Sequence, residues 1–462
     1  MNLIRLKKWV SGLLAAMIFC LSLPVSATGT SLTERSDFIW GVNGHNRMYE
    51  AYPEKYAEKQ VKLAAELGVK LYRFNFNPKT SDDLEYLHYM VSLCEAYGMD
   101  MMLVMDDAGL FPDNPQYSKS KENDYIEALT GRATMIASLF KDRIKYIQVF
   151  NELDIHCLVA GSGGNGDHID QYNKDWLQIF AKRTKAVVDA IKAEAPQIKT
   201  CVNISYVHTG WFDYLASYEG GVDFDVIGLD WYSDMGILRV ILNKLATYSQ
   251  KEIIVCETNI VNGENGNDGA YLEQVMNEAY NHSSGKVKGM FFYELLDELN
   301  YQDRERYYGL VNCERNGEIG TVKPAYTRVQ KLLGGKSLPL LNVKPTPLFS
   351  DDDPDVSSES LNNSSSKPVS SSNKASSQNI GSVTSKATSE ITSSEGVIVS
   401  ENQISSAPAS SEEISSTSSD TPTEIEENEN GFPIWIFIII AAILFLGGAG
   451  FVLWWFVIRK KQ

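Results

Sequence analysis

Apolar positions along the first three quarters of the chain follow two alternating patterns. Short runs rich in β-branched and aromatic residues alternate with longer stretches whose apolar residues recur at helical spacing. The runs that predict strands are Phe38–Gly44, Val69–Phe76, Met99–Met105, Ile144–Asn151, Thr200–Ser205, Val226–Tyr232, Ile253–Thr258 and Gly289–Glu294. Most are continuously apolar, as expected of parallel strands covered on both faces. The stretches between them predict helices. Pro53 to Leu67 has Pro near its start and Gly68 just past its end, the usual asymmetry of helix start and stop. Asp170 to Ala195 sets Trp176, Ile179, Phe180, Val187, Val188 and Ile191 near helical spacing and stops before Pro196. Eight strand–helix alternations with no internal linker predict one (β/α)₈ barrel over residues 32–341. The rival, an open doubly wound sheet, concentrates ligand contacts at one switch point. Here polar residues gather after many strands.

The remaining segments are read by composition. Arg5, Lys7 and Lys8 precede an apolar run from Val10 to Leu23, and Val25-Ser26-Ala27 offers a small-residue cleavage site. Residues 1–27 therefore read as a secretory signal peptide, with an uncleaved anchor as the alternative. From 350 to 430, Ser, Thr, Asn and acidic residues dominate, with 15 Asp/Glu against 3 Lys/Arg. Such a composition buries too little apolar surface to offset ordering entropy, so a disordered stalk is expected. Residues 432–458 carry no charge, have Trp435 near one end and Trp454 and Trp455 near the other, and run directly into Arg459, Lys460 and Lys461. That predicts a single membrane-spanning helix, a cytoplasmic tail at 459–462 and everything before the span outside the cell membrane.

Charge and cysteine content narrow the function. Most of the net charge of −17 sits in the 350–430 segment, and the body is also acidic, which argues against nucleic acid as a partner. Cys94, Cys157, Cys201, Cys256 and Cys313 form neither a disulfide framework nor a zinc spacing. The six histidines are scattered, so Asp106-Asp107 reads as a solvated rim and no metal or other cofactor is expected. Gly161 to Gly166 matches GxGxxG but lies well past its strand end, so a loop over the cleft is expected there rather than a nucleotide site.

The C-terminal strand ends of such a barrel face one cleft. They carry Asn43 and His45, then Arg73, Asn75 and Asn77, then Asp106 and Asp107, and Asn151-Glu152. Tyr206 and His208, Asp230-Trp231-Tyr232, Glu257-Thr258-Asn259 and Tyr293-Glu294 follow. Amides, carboxylates, an arginine and aromatic faces together suit a carbohydrate. Two carboxylates across the mouth, Glu152 and Glu257, fit glycosidic cleavage with one as acid/base and the other as nucleophile. Arg73 or the Tyr232 hydroxyl would stabilise the ionised nucleophile. Asn151, Asn75, Trp231, Tyr293, Glu294, His45 and His208 are the further candidates for sugar contact, whereas Asp297 and Glu298 read as surface charge.

The run Tyr146-Ile-Gln-Val-Phe-Asn-Glu152 resembles the fourth-strand acid/base motif of clan A, the large barrel clan of retaining glycosidases. Glu252-Ile-Ile-Val-Cys-Glu257 is similar to its seventh-strand nucleophile motif. Leu71-Tyr-Arg73 resembles the second-strand arginine, and Asp225-Val-Ile-Gly-Leu-Asp-Trp-Tyr232 resembles the sixth-strand segment whose tyrosine touches the nucleophile. Gly289-Met-Phe-Phe-Tyr-Glu294 and Lys323-Pro-Ala-Tyr326 resemble the closing segment. Leu153 stands where many members have Pro, and Tyr293 where a Trp is common. The resemblance implies a retaining glycoside hydrolase without cofactor, its family within the clan open. The signal and span would place it outside the cell. The alternatives are a non-catalytic carbohydrate-binding or adhesion barrel, and a transglycosylase using the same residues.

Overall fold

A computed structural model describes residues 32–349 apart from 160–164, 249, 261–267, 303 and 315–316. The expected signal, stalk, span and cytoplasmic tail lie outside the described residues. Among the described residues no helix is long and apolar enough to cross a membrane.

Eight parallel strands close into a barrel in sequence order: β1 (Ile39–His45), β2 (Leu71–Asn75), β3 (Asp100–Met105), β4 (Tyr146–Val149), β5 (Lys199–Ser205), β6 (Val226–Trp231), β7 (Glu252–Thr258) and β8 (Val287–Phe292), with β8 pairing back onto β1. All eight expected strands are present within a few residues of their expected bounds. The helices between them are α1 (Ala57–Glu66), α2 (Ser81–Ala96), α3 (Glu122–Phe140), α4 (Leu153–Cys157), α5 (Lys174–Glu194), α6 (Gly210–Ser217), α7 (Met235–Leu245) and α8 (Ala270–Tyr280), and α9 (Pro324–Leu333) follows the last strands. Local sequence sets their starts. Thr80 and Asp83 form a capping box on α2, and Asn173 and Asp234 accept from the first N–H groups of α5 and α7. The expected single helix from Asp170 is accordingly two pieces, because Asn173 stays extended and caps the second.

The lower interior of the barrel is apolar, filled by Leu71, Met102, Tyr146, Cys201, Val226, Ile254, Cys256 and Phe291. A second, larger apolar layer lies between strands and helices. Both faces of each strand are thus covered, which is why the strands read as unbroken apolar runs. Higher in the barrel the inward positions turn polar.

Two features follow β8. A hairpin of β9 (Val311–Glu314) and β10 (Glu318–Val322) covers the segment after β8. Leu295 N–H donates to Asn43 O at 3.0 Å on one side, and Asp297 N–H to Val311 O at 3.1 Å on the other. Beyond α9 the chain runs on past Leu341 over α1 and α2. Glu66 accepts from Leu338 N–H, Glu58 from Leu341 and Asn342 N–H, and Glu85 from Leu348 and Phe349 N–H, at 2.7–3.3 Å. Each helix therefore holds this strap through carboxylates that accept from its backbone N–H groups, the Leu341 N–H being shared with the Tyr97 hydroxyl at 3.1 Å.

Candidate active site

The polar interior layer is one connected network with Arg73 at its centre. Arg73 is buried, and its guanidinium donates to four acceptors: Gln148 Oε1 at 3.0 Å, Asn43 Oδ1 at 2.6 Å, Glu257 Oε1 at 2.7 Å and Asn151 Oδ1 at 3.0 Å. Asn43 is fixed in turn by donating to Cys256 O and Phe292 O. The other oxygen of Glu257 accepts from the Tyr232 hydroxyl at 2.7 Å. A cation and a phenol thus hold both Glu257 oxygens in place and offset its charge.

Glu257 reaches the interior through a bulge. The β6–β7 register runs Leu229 to Val255 and then Asp230 to Glu257, leaving Cys256 as an extra residue. Cys256 already points inward, so strict alternation would aim Glu257 at the helices. The bulge re-aims it into the barrel mouth.

Glu152 arrives by another local device. Phe150 and Glu152 both take left-handed backbone conformations, with φ of 64° and 46°, uncommon for residues with a side chain and costing roughly 1–3 kcal/mol each. The double bend takes the chain out of β4, presents Asn151 and Glu152 to the cleft and starts α4. Asn203 pins it: its carbonyl accepts from Glu152 N–H at 3.0 Å, and its amide donates to Asn151 Oδ1 at 2.9 Å and to Asp230 Oδ2 at 2.6 Å. Room for Asn203 comes from Gly228 on the next strand, where a Cβ would lie 2.6 Å from that of Asn203. Asn151 Oδ1 accepts from Arg73, Gln148 and Asn203, which turns its NH₂ away from this network.

The two carboxyls differ in environment. Burial, then the negative charges of Glu257 and Asp154, push the Glu152 carboxyl well above the usual carboxylate range, against the pull of Ser205 and Arg73. Asp230, wholly buried beside them, is raised as well, first by burial.

The other candidates divide. Asn75 donates to Asp106 at 3.1 Å near the cleft opening. Tyr293 is as buried as Glu257 and meets Tyr232, Tyr308 and His45 edge-on, at 5.9–6.2 Å between centroids. His208 binds Asp154 through Nδ1 at 2.5 Å and lies against Gly166; most of the expected glycine loop, 160–164, falls outside the described residues. Trp231 is a correction. It is fully buried among the helices, with its indole N–H on Ser233 O, because alternation sends it outward while Asp230 and Tyr232 face in.

Asp297 and Glu298 are a second correction. They are 4% and 2% exposed rather than surface charges, since the β9–β10 hairpin covers them, and Asp297 pairs with Lys323 at 2.5 Å. His45, Glu294 and Glu298 are the one cluster of potential metal ligands among the described residues. Burial lowers the His45 pKa and raises that of Glu294, and burial with Glu294 pushes Glu298 up to about 8. Gln148 and Asn203 went unnoticed as site residues. Their signal is a lone amide at an inward position of an otherwise apolar strand.

Residues 81–306, just under half of the chain, match the model of Glycosyl hydrolase family 53. The protein is a glycoside hydrolase of the clan A barrel type. The matched stretch carries Glu152 and Glu257 but not β1, β2 or the closing hairpin. Solved structures similar to this hydrolase include the family 1 β-glucosidase from Thermotoga maritima, with a TM-score of 0.50 at 14% identity over 67% of this chain and 100% of that one. The AHE enzyme from Alicyclobacillus herbarius gives 0.51 at 13% over 66% and 99%. At such identities they speak for the fold alone. No curated protein sequence matches.

Proposed function

We propose that the hydrolase cleaves the O-glycosidic bonds of a poly- or oligosaccharide by double displacement, with Glu152 as acid/base and Glu257 as nucleophile. The observation that carries this is the contrast between the two carboxyls. Glu152 is buried, faces negative charge and favours the protonated form, whereas Glu257 accepts on both oxygens from Arg73 and Tyr232. One guanidinium reaches both Glu257 and Asn151, the neighbour of Glu152, which draws the pair to a single reacting centre.

In the first step a Glu257 oxygen bonds to the anomeric carbon as the C–O bond to the leaving group breaks. The Glu152 proton passes to that leaving oxygen. In the second, Glu152, now a carboxylate, takes a proton from water, whose oxygen attacks the anomeric carbon and frees Glu257. The sugar's configuration is retained after two inversions. The Asn151 NH₂ is the donor for a sugar hydroxyl beside the reacting carbon. Asn75 and Tyr293 line the same mouth, and His208 lies at its edge beside Asp154.

The signal-like N-terminus and the apolar, basic-flanked C-terminus support an enzyme held outside the cell membrane on an acidic, Ser-rich spacer. Carbohydrate near its own envelope is then the accessible substrate.

Turnover on a panel of polysaccharides and aryl glycosides, with Glu257→Ala alongside, tests the assignment. Turnover lost in the variant supports it, and turnover unchanged by the substitution excludes Glu257 as nucleophile. Protease shaving of intact cells tests topology: a body released from outside agrees, and one protected inside does not.

A further inference from the structure

Away from the Glu152–Glu257 pair, a second constellation joins the two ends of the barrel sheet. His45 closes β1, and Glu294 and Glu298 follow β8. They are 5%, 0% and 2% exposed, and their candidate ligand atoms all lie within 4.8 Å of one another. Both ring nitrogens of His45, Glu294 Oε1 and Glu298 Oε1 are buried without a hydrogen-bond partner among the described residues. His45 Nε2 is 3.0 Å from Glu294 Oε2 but out of hydrogen-bond alignment, and the latter oxygen accepts from Tyr52 OH at 3.1 Å. Leaving four such atoms buried and unmatched is costly. The ring is also held in place, stacked on Tyr49 at 4.3 Å and flanked edge-on by Tyr52 and Tyr293. Two buried cations of this region are already committed, Lys323 to Asp297 and Tyr307 O and Arg73 to the network around Glu257.

We propose that His45, Glu294 and Glu298 bind a divalent metal ion of the zinc class. One imidazole and two carboxylates converging on a point supply the mixed nitrogen and oxygen donors that zinc accepts, and two negative charges balance its two positive ones. Calcium and magnesium favour all-oxygen shells. The ion ties β1 to the segment after β8. Tyr293 lies in that segment and its ring edge meets Tyr232, which donates to Glu257. The ion therefore acts as a structural brace behind the nucleophile and takes no part in bond breaking.

The test reads binding rather than turnover, so its result stands apart from the glycosidase assignment. Full-length protein in detergent is stripped with a chelator, dialysed, and titrated with zinc chloride alone by calorimetry and thermal unfolding. One equivalent bound per chain is expected. At a hundredfold excess over Kd the folded-to-unfolded ratio rises about 100-fold, equal to roughly 4 °C in Tm for about 300 ordered residues. Glu298→Gln and His45→Asn should each weaken zinc binding at least about tenfold while leaving the far-ultraviolet circular dichroism unchanged. X-ray absorption at the zinc edge needs no variant and should show nitrogen and oxygen donors only. No zinc bound by the wild type, sulfur in the shell, or undiminished binding by both folded variants would each overturn the proposal.

Discussion

Replacing Arg73 with Met keeps most of the side-chain volume and removes the donor at the centre of the network. The four acceptors lose unequally. Asn151 Oδ1 retains Gln148 and Asn203, and Glu257 retains Tyr232. Gln148 Oε1 and Asn43 Oδ1 are left with no donor of those described here. The largest loss is the buried ion pair itself, with Arg73 and Glu257 side chains 4% and 9% exposed. Breaking such a pair from one side costs ~3–5 kcal/mol. Glu257 borders the cleft and water can reach it, so the lower end, about 3 kcal/mol, is expected. For a barrel of about 300 residues that lowers Tm by roughly 4–6 °C. Released from Arg73, the nucleophile is misplaced, and kcat falls about 100-fold. The assay is a double-mutant cycle in thermal or denaturant unfolding. Arg73→Met and Glu257→Gln each destabilise, because each strands the other's charge or dipole. The double variant should be less destabilised than the sum of the two by ~2–3 kcal/mol. Strict additivity, or a cost below about 1 kcal/mol for Arg73→Met, would refute the claim that this pair organises the site.

Four other outcomes follow from the structure. Because the folded-state pKa of Glu152 is raised, its contribution to stability is full below the unfolded value and is lost as pH rises through the folded value. Glu152→Gln should therefore melt with the wild type near pH 4 and above it at pH 8, and equal Tm differences at both pH values would contradict the shift. Wild-type kcat/KM should fall on the alkaline side as the acid loses its proton. Asn203→Ala frees Asn151 and Glu152 from their shared anchor, so kcat should drop roughly 10–100-fold with KM little changed; a pure KM effect would point to substrate contact instead. A chain of residues 28–341 loses the backbone bonds to Glu85 and one of those to Glu58, along with the partly buried Val343, Leu348 and Phe349. It should melt a few degrees below a chain of residues 28–349, and equal melting would show the strap to be idle.

The barrel was legible in the sequence because its cause is local and repeated. Most strands are continuously apolar and each helix is apolar on one face, and Pro53 and Gly68 bracket the first helix; the caps at Asn173 and Asp234 came only with the structure. The site was legible less evenly. Arg73 and Tyr232 lie where period-two alternation from the apolar interior puts them, and the same rule places Trp231 outside, whereas Asn151, an odd number of residues from the inward Tyr146, is turned into the cleft by the left-handed bend at Phe150. For Glu257 alternation alone gives the opposite side from the observed one. The bulge at Cys256 corrects it, and no pattern of apolar positions encodes that bulge. What singled out Glu257 was its place at the C-terminal end of the seventh strand, across the barrel from Glu152, together with the likeness of that strand to a nucleophile motif, which carries the bulge implicitly. Asp297 and Glu298 show the reverse. In Leu295-Leu-Asp-Glu-Leu299 the acids look like solvated charges after a strand, and only the hairpin from Val311 to Val322 buries them. Local composition could not report that cover, since it comes from residues more than ten positions away. A buried acid with no visible local reason is therefore where long-range structure adds most to the reading. Glu294 and Glu298, gathered with His45, are the acids of this chain to which that argument points for a ligand.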